Sequence, residues 1–181
     1  VGGGSALDCA KAACSIAPQG GRAREYHSGG RPLNAQHVPL VAAPTTAGTG
    51  SEVTPIAVLD DPEKGTKAPL THDNFFPAVA VVDPELCMSM PPYVTACTGL
   101  DALAHAIEGY WSRNHQPICE ALSLAAVAQI FRHLPVAFRE PENPEAREGM
   151  SHAALLAGMA FHLPKNAAVH ACSYPLSIHH H

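Results

Sequence analysis

At 181 residues, with 46% hydrophobic and only 15% charged side chains, the chain can form one sizeable domain or two small ones and is too apolar to be a solvated, disordered tail. A net charge of −5, a pI near 6.2 and eleven scattered Lys and Arg residues exclude the basic stripe that nucleic-acid binding requires. No run reaches the roughly 18 apolar residues of a membrane span, and the expectation is a soluble, cytoplasmic protein without a membrane partner.

Residues 1–4 (VGGG) read as the end of a strand or loop feeding an alanine-rich helix over 5–16, with Ser5 as its cap. A glycine turn that opens a chain without its preceding strand implies sequence upstream of Val1. Residues 17–38, rich in Gly, Pro and polar side chains, read as a surface connection with one helical turn near the middle. PLVAAP at 39–44 reads as a buried parallel strand that runs straight into the small-residue loop TTAGTGSE. Residues 53–59 and 78–82 are expected to be further strands, separated by a hairpin-like excursion rich in turn residues.

After Asp83-Pro84 and the sequence MPPY, the pattern changes to long alanine-rich helices, expected at 94–113, 116–134 and 144–161 and from about Ala167 onward. Thr95 is the expected cap of the first, and Pro117 suits the first turn of the second, where its missing N–H does no harm. A boundary near Met90 to Tyr93 divides an α/β part, 1–92, from a helical part, 93–181. Cys9, Cys14, Cys87, Cys97, Cys119 and Cys172 contain no CxxC pair and sit mostly among small apolar residues, so they read as buried, reduced thiols.

Two segments point to a cofactor. Gly2, Gly3, Gly4 and Ser5 place a glycine turn at a helix N-terminus, where free N–H groups and the helix dipole attract phosphate. Such a turn also begins helices that bind nothing. Thr45-Thr46-Ala47-Gly48-Thr49-Gly50-Ser51-Glu52 offers hydroxyls and pliable backbone at a strand end, although short hydroxyl side chains also cap their own backbone. Both sit where open α/β sheets bind ligands, and together they favour a ligand, without matching the GxGxxG fingerprint.

A third segment points to a metal. Asp101 and His105 lie one helical turn apart on one face, and imidazole with carboxylate suits Fe(II), Zn(II) or Mn(II). His170, on an otherwise apolar helix, is the third candidate, because burying an unpartnered imidazole costs free energy. His27, His37, His72, His115, His133, His152 and His162 lack a partner in register and read as surface or structural residues. The terminal His179, His180 and His181 carry no functional reading, since a histidine run binds metal whatever its origin.

Taken in order, GGGSALDCAKA, PLVAAPTTAGTGSEVT, VDPEL, TGLDALAHAIEGY, LLAGMAF and VHACSYPL resemble the iron-containing (group III) alcohol dehydrogenase family. The resemblance implies an α/β dinucleotide-binding domain followed by an all-α domain, a dehydroquinate synthase-like architecture represented incompletely at both ends. It implies NAD or NADP and a divalent metal, Fe(II) or Zn(II), in the cleft between them. On that basis Gly3, Gly4, Ser5 and Asp8 line the pyrophosphate and nicotinamide side, Thr45, Thr46, Thr49 and Ser51 lie beside them, and Lys67 contacts the ribose.

Asp101, His105 and His170 would then be three of four metal ligands, the fourth a histidine in a later segment resembling PHG. Tyr174 stands where several members carry a histidine linked to proton transfer, and no general base is assigned. The implied reaction moves hydride between a small-molecule alcohol or aldehyde and nicotinamide, with the metal as Lewis acid, in a homodimer or higher homo-oligomer. The alternatives are a zinc-using relative, like glycerol dehydrogenase or a sugar-phosphate lyase, and a non-catalytic fragment.

Overall fold

The structure is a computed structural model that describes residues 1–27, 30–61, 63–165 and 168–179, without the side chains of 178 and 179. The expected helix start at Ala167, and His180 and His181, lie outside the described residues.

Helix α1 spans Gly4–Ile16, and its buried positions Leu7, Lys11, Ala12, Ser15 and Ile16 form one stripe at helical spacing. It begins one residue earlier than expected. Gly3, not Ser5, is the cap position, and no side chain caps the helix. Ahead of it, Gly2 pairs in parallel with Pro44, Gly2 N–H donating to Ala43 O and Thr45 N–H to Gly2 O. The expected helical turn within 17–38 is α2, Ala23–Tyr26, whose buried Tyr26 hydroxyl donates to Gly20 O at 2.6 Å.

Strand β1, Val41–Ala42, runs parallel to β4, Val79–Ala80. Between them an antiparallel hairpin joins β2, Ile56–Asp61, to β3, Thr66–Thr71, in the register Ile56 opposite Thr71 and Asp61 opposite Thr66. The expected strand at 53–59 starts late because Ser51–Val53 is a turn of 3-10 helix, and the expected excursion contains a full strand. Proline is confined to edges and bulges in sheets, so Pro69 masks TKAPLT as a strand; here it lies on an edge of this two-stranded hairpin. Ala12 and Ile16 of α1 pack with Ala57, Leu70, Tyr26 and Phe75 into one core.

The helical part comprises α3, Pro92–Trp111; α4, Pro117–Arg139; α5, Pro144–Phe161; and α6, Ala168–His179. Each of α3, α4 and α5 opens on proline, whose fixed φ is already helical. Asn143 caps α5 by accepting from Ala146 N–H at 3.0 Å. Their core is built largely from Ala102, Ala106, Ala126, Ala153 and Ala157 around Ile130 and Met150, so small side chains let the three helices approach closely. α4 continues through Pro135 to Arg139, five residues past the expected end, because its last turn buries Ala137 completely in this core. By length and composition α4 is also the one described helix long and apolar enough to cross a membrane. Here its apolar positions Ala126, Ile130 and Ala137 are packed into the three-helix core.

Two expectations are corrected here. Thr95 is not the cap of α3: the helix starts at Pro92, and Thr95 Oγ1 donates back to Pro91 O from inside the first turn. Of the six cysteines only Cys87 and Cys119 are buried, while Cys9, Cys97 and Cys172 are exposed and Cys14 is half-buried. Small neighbours in the sequence do not bury a thiol that faces away from the helix's packed stripe.

Candidate metal and cofactor site

A cavity of about 540 Å³ opens where the start of α1, the loop 45–52, the β2–β3 hairpin and helices α3, α5 and α6 converge. Gly4, Ser5, Asp8, Thr49, Ser51 and Lys67 line one side, and Asp101, His105 and His170 line the other. Gly3, Thr45 and Thr46 do not line it. They form the junction beneath, where Thr45 N–H is bonded to Gly2 O and a Cβ on Gly3 would stand 3.3 Å from Thr46 Cγ2.

On the first side, the N-terminus of α1 has no side-chain cap among the described residues and no acidic residue in its first turn, which leaves its N–H groups to water or an anion. Asp8 organises the wall next to it, accepting from Ser51 Oγ at 2.6 Å and from Val58 N–H at 2.9 Å. Burial raises its pKa, against the opposing effects of Ser51, Val58 and Lys11. Lys11, one turn on, is buried and donates to Thr54 O and Ile56 O at 2.9 Å each, tying α1 to the start of the hairpin. Burial lowers the Lys11 pKa to about 8 against the pull of Asp8 and Glu52. Lys67 lies 3.7 Å from Asp60 and donates to Ser177 Oγ at 3.4 Å, which links the hairpin to α6 across the cavity.

The loop 45–52 sits in backbone contact with the helical part. A Cβ on Gly48 would lie 2.7 Å from Thr98 O, and one on Gly50, which has φ +61°, would lie 2.6 Å from Gly158 Cα. The converse contact, from Gly158 to Gly50 Cα, would be 2.9 Å. Gly158→Ala is therefore expected to destabilise the protein by about 1–3 kcal/mol, since neither backbone has a flexible end that can yield. Thermal unfolding checks this, and an unchanged midpoint would show that the loop can move aside.

On the second side, Asp101 and His105 project from one face of α3, and His170 reaches them from α6. Asp101 Oδ2 lies 3.9 Å from His105 Nδ1, and Asp101 Oδ1 lies 3.4 Å from His170 Nε2. One donor atom from each of the three falls within 4.8 Å of the others. The His105 ring is 5% exposed and stacked between Phe161, at 4.2 Å, and His170, at 4.4 Å. Its Nδ1 is buried without a hydrogen-bond partner among the described residues.

Electrostatics differ among the three. Burial pulls the His105 pKa down to about 4, with Asp101 acting the other way, so its imidazole is neutral at pH 7 with a lone pair to give. Burial would raise Asp101, but the His170 hydrogen bond and the two imidazole charges prevail and hold it low. Burial would lower His170, but its bonds to Asp101 and Glu108 prevail and raise it. Two imidazoles and one carboxylate with a buried, orphaned nitrogen fit a divalent transition metal, and the donor set is the one used for Fe(II) with open positions.

A cation must displace the proton that His170 holds more tightly than usual, so metal affinity is expected to rise with pH through the range above the ordinary imidazole pKa of about 6.5 in which His170 gives up that proton, and to be weakest below it. Calorimetric metal titrations over that range check this. An affinity independent of pH would show that His170 is not displaced.

Several lining residues had no sequence-level prediction as site members. Phe161 reaches the cavity from the end of α5, Lys165 from the connection that follows, and Ser173 and Ser177 from α6. Tyr174 also lines it, with its pKa raised by burial first and then by the charges of Asp101, Glu108 and Asp8. Glu108 stands behind His170 and bonds to its Nδ1. Its spacing, three residues past His105 and seven past Asp101, is the signal that could have found it.

The sequence pattern described as iron-containing alcohol dehydrogenase matches residues 1–84, and that of the Fe-containing alcohol dehydrogenase family, C-terminal, matches residues 95–181. The chain is 46% identical over 178 residues to long-chain-alcohol dehydrogenase 1 of Geobacillus thermodenitrificans, covering 97% of this chain and 45% of that one. It is 44% identical over 178 residues to choline dehydrogenase of Bacillus subtilis, covering 97% of this chain and 44% of that one. Among solved structures, sulfoacetaldehyde reductase from Bifidobacterium kashiwanohense in complex with NAD+ superimposes with a TM-score of 0.96 at 52% identity, over 99% of this chain and 48% of that one. The chain thus spans about half the length of the relatives it matches.

Proposed function

Because the chain belongs to the iron-containing alcohol dehydrogenase family, we propose that the full-length protein is a metal-dependent, NAD-linked alcohol dehydrogenase and aldehyde reductase. The observation that carries this reading is the convergence of an uncapped helix N-terminus and the Asp101, His105, His170 triad on one cavity of about 540 Å³. The NAD+ complex of the similar structure supports NAD over NADP, and the two-imidazole, one-carboxylate donor set supports Fe(II), with Zn(II) as the second choice. The substrate class is a small alcohol or aldehyde, in line with the names of the relatives, which differ among themselves in the alcohol or aldehyde they name.

In this proposal residues 1–92 belong to the dinucleotide-binding domain and 93–181 to the helical domain of a dehydroquinate synthase-like architecture. The N–H groups of Gly4 and Ser5 at the start of α1 hold the pyrophosphate. Thr49 and Ser51 offer hydroxyls beside it, with Gly3, Thr45 and Thr46 shaping the turn beneath. Asp8 keeps Ser51 and the hairpin in place, and Lys67 faces the ribose from β3.

Asp101, His105 and His170 hold the cation, with His105 already neutral and Phe161 against its ring excluding water from that side. When bound, the cation would supply Lewis-acid polarisation of an alcohol oxygen and the dinucleotide a hydride acceptor. A cytoplasmic location accords with the unpaired cysteines, and the family resemblance points to a homodimer through the α/β part. The test is NADH formation by the purified full-length protein, loaded with iron(II) or zinc, with a panel of primary alcohols and, in reverse, their aldehydes. Tight metal and NAD binding with no turnover of any of them would reject the dehydrogenase reading.

A further inference from the structure

Glu108 lies on α3 and is completely buried. A carboxylate in that setting is costly unless it is well bonded. Its two oxygens divide their work. Oε1 accepts from Val169 N–H at 2.6 Å, at the start of α6, and Oε2 takes the hydrogen bond of His170 Nδ1. The opposite nitrogen of the same ring, Nε2, faces Asp101 Oδ1 at 3.4 Å. An imidazole that donates through Nδ1 presents its lone pair at Nε2, so the partner of one nitrogen decides what the other can ligate.

We infer that Glu108 is a positioning residue of the metal site. Through His170 Nδ1 it selects the nitrogen that faces the cation, and through Val169 N–H it fixes the start of the helix that brings that nitrogen there. The inference rests on the metal-site reading proposed above. It also accounts for a carboxylate, and not an amide, at this position: the two N–H groups reach different oxygens, and a glutamine would set its NH2 donor against one of them.

The experiment titrates the metal-free full-length protein and its Glu108→Gln and Glu108→Ala variants with zinc and with cobalt(II). It reads affinity, the visible ligand-field spectrum of bound cobalt, and the thermal midpoint of the metal-free protein. E108A is expected to bind about 10- to 100-fold more weakly with an altered cobalt spectrum, and E108Q to fall between, because its amide oxygen still accepts one of the two N–H groups. Affinities of both variants within about twofold of wild type would overturn the inference. A loss of affinity that only follows a fallen midpoint, with the cobalt spectrum unchanged, would also overturn it by reducing Glu108 to a structural staple. If the wild-type protein binds neither metal, the metal-site reading fails and this inference fails with it; if wild type binds and E108A matches it, only this inference fails.

Discussion

Asp101→Ala and His105→Ala in the full-length protein are each expected to remove bound metal and to lower alcohol oxidation by about three orders of magnitude. A Lewis-acid cation contributes several kcal/mol to charge stabilisation in the transition state, and each 1.4 kcal/mol is about tenfold in rate. The two positions fail for different reasons. Asp101 supplies the one charged donor and sits between both imidazoles, 3.9 Å from His105 Nδ1 and 3.4 Å from His170 Nε2. His105 supplies a nitrogen that burial keeps unprotonated far below pH 7. Since the start of α1 lies on the opposite side of the cavity, NAD affinity should survive both changes. Metal analysis, turnover and NAD titration together check this. Wild-type metal content and turnover in both variants would dismiss the triad as the metal site.

The largest expected loss of stability comes from Arg147→Ala, at about 3–5 kcal/mol. Arg147 is 1% exposed, and its guanidinium donates to Met90 O at 2.8 Å, Pro141 O at 2.8 Å and Thr95 Oγ1 at 2.7 Å. It therefore ties α5 to the segment that enters α3 and to the end of the α4–α5 connection. Truncation leaves two carbonyls unpaired and a cavity in their place, in a protein whose whole stability is of the order of 5–15 kcal/mol. Arg147→Lys should rescue little, because one ammonium cannot span three acceptors set out for a planar fork. A fall in thermal midpoint of roughly 6 °C or more is expected for the alanine variant, and an unchanged midpoint would contradict the account.

What could be read from the sequence was local. Asp101 and His105 were legible as a pair because four residues of helix bring two side chains to one face, and α5 was legible at both ends because Pro144 opens it and its apolar spacing stops at Phe161. His170 stood out as a polar residue in an apolar stretch, but its partners Glu108 and Asp101 lie on a helix some sixty residues earlier. No spacing rule crosses that distance. Arg147 was hidden for the same reason, its acceptors being scattered over Met90, Thr95 and Pro141. β3 was obscured by Pro69 and by polar residues facing solvent, and it exists because Leu70 and Ala57 complete the core under α1. The end of α4 was misjudged because Pro135 is a local signal, whereas the burial of Ala137 is a tertiary one.

The segment 45–52 touches both halves of the cavity. Thr49 lies over Gly4 at the start of α1, Gly48 packs on Thr98 of α3, the helix that carries Asp101 and His105, and Gly50 rests on Gly158 of α5. Any movement of this segment on binding at one half therefore reaches the other, and thermodynamic linkage makes such a coupling reciprocal. Whatever factor a bound cation adds to the affinity for dinucleotide, the dinucleotide must add to the affinity for the cation.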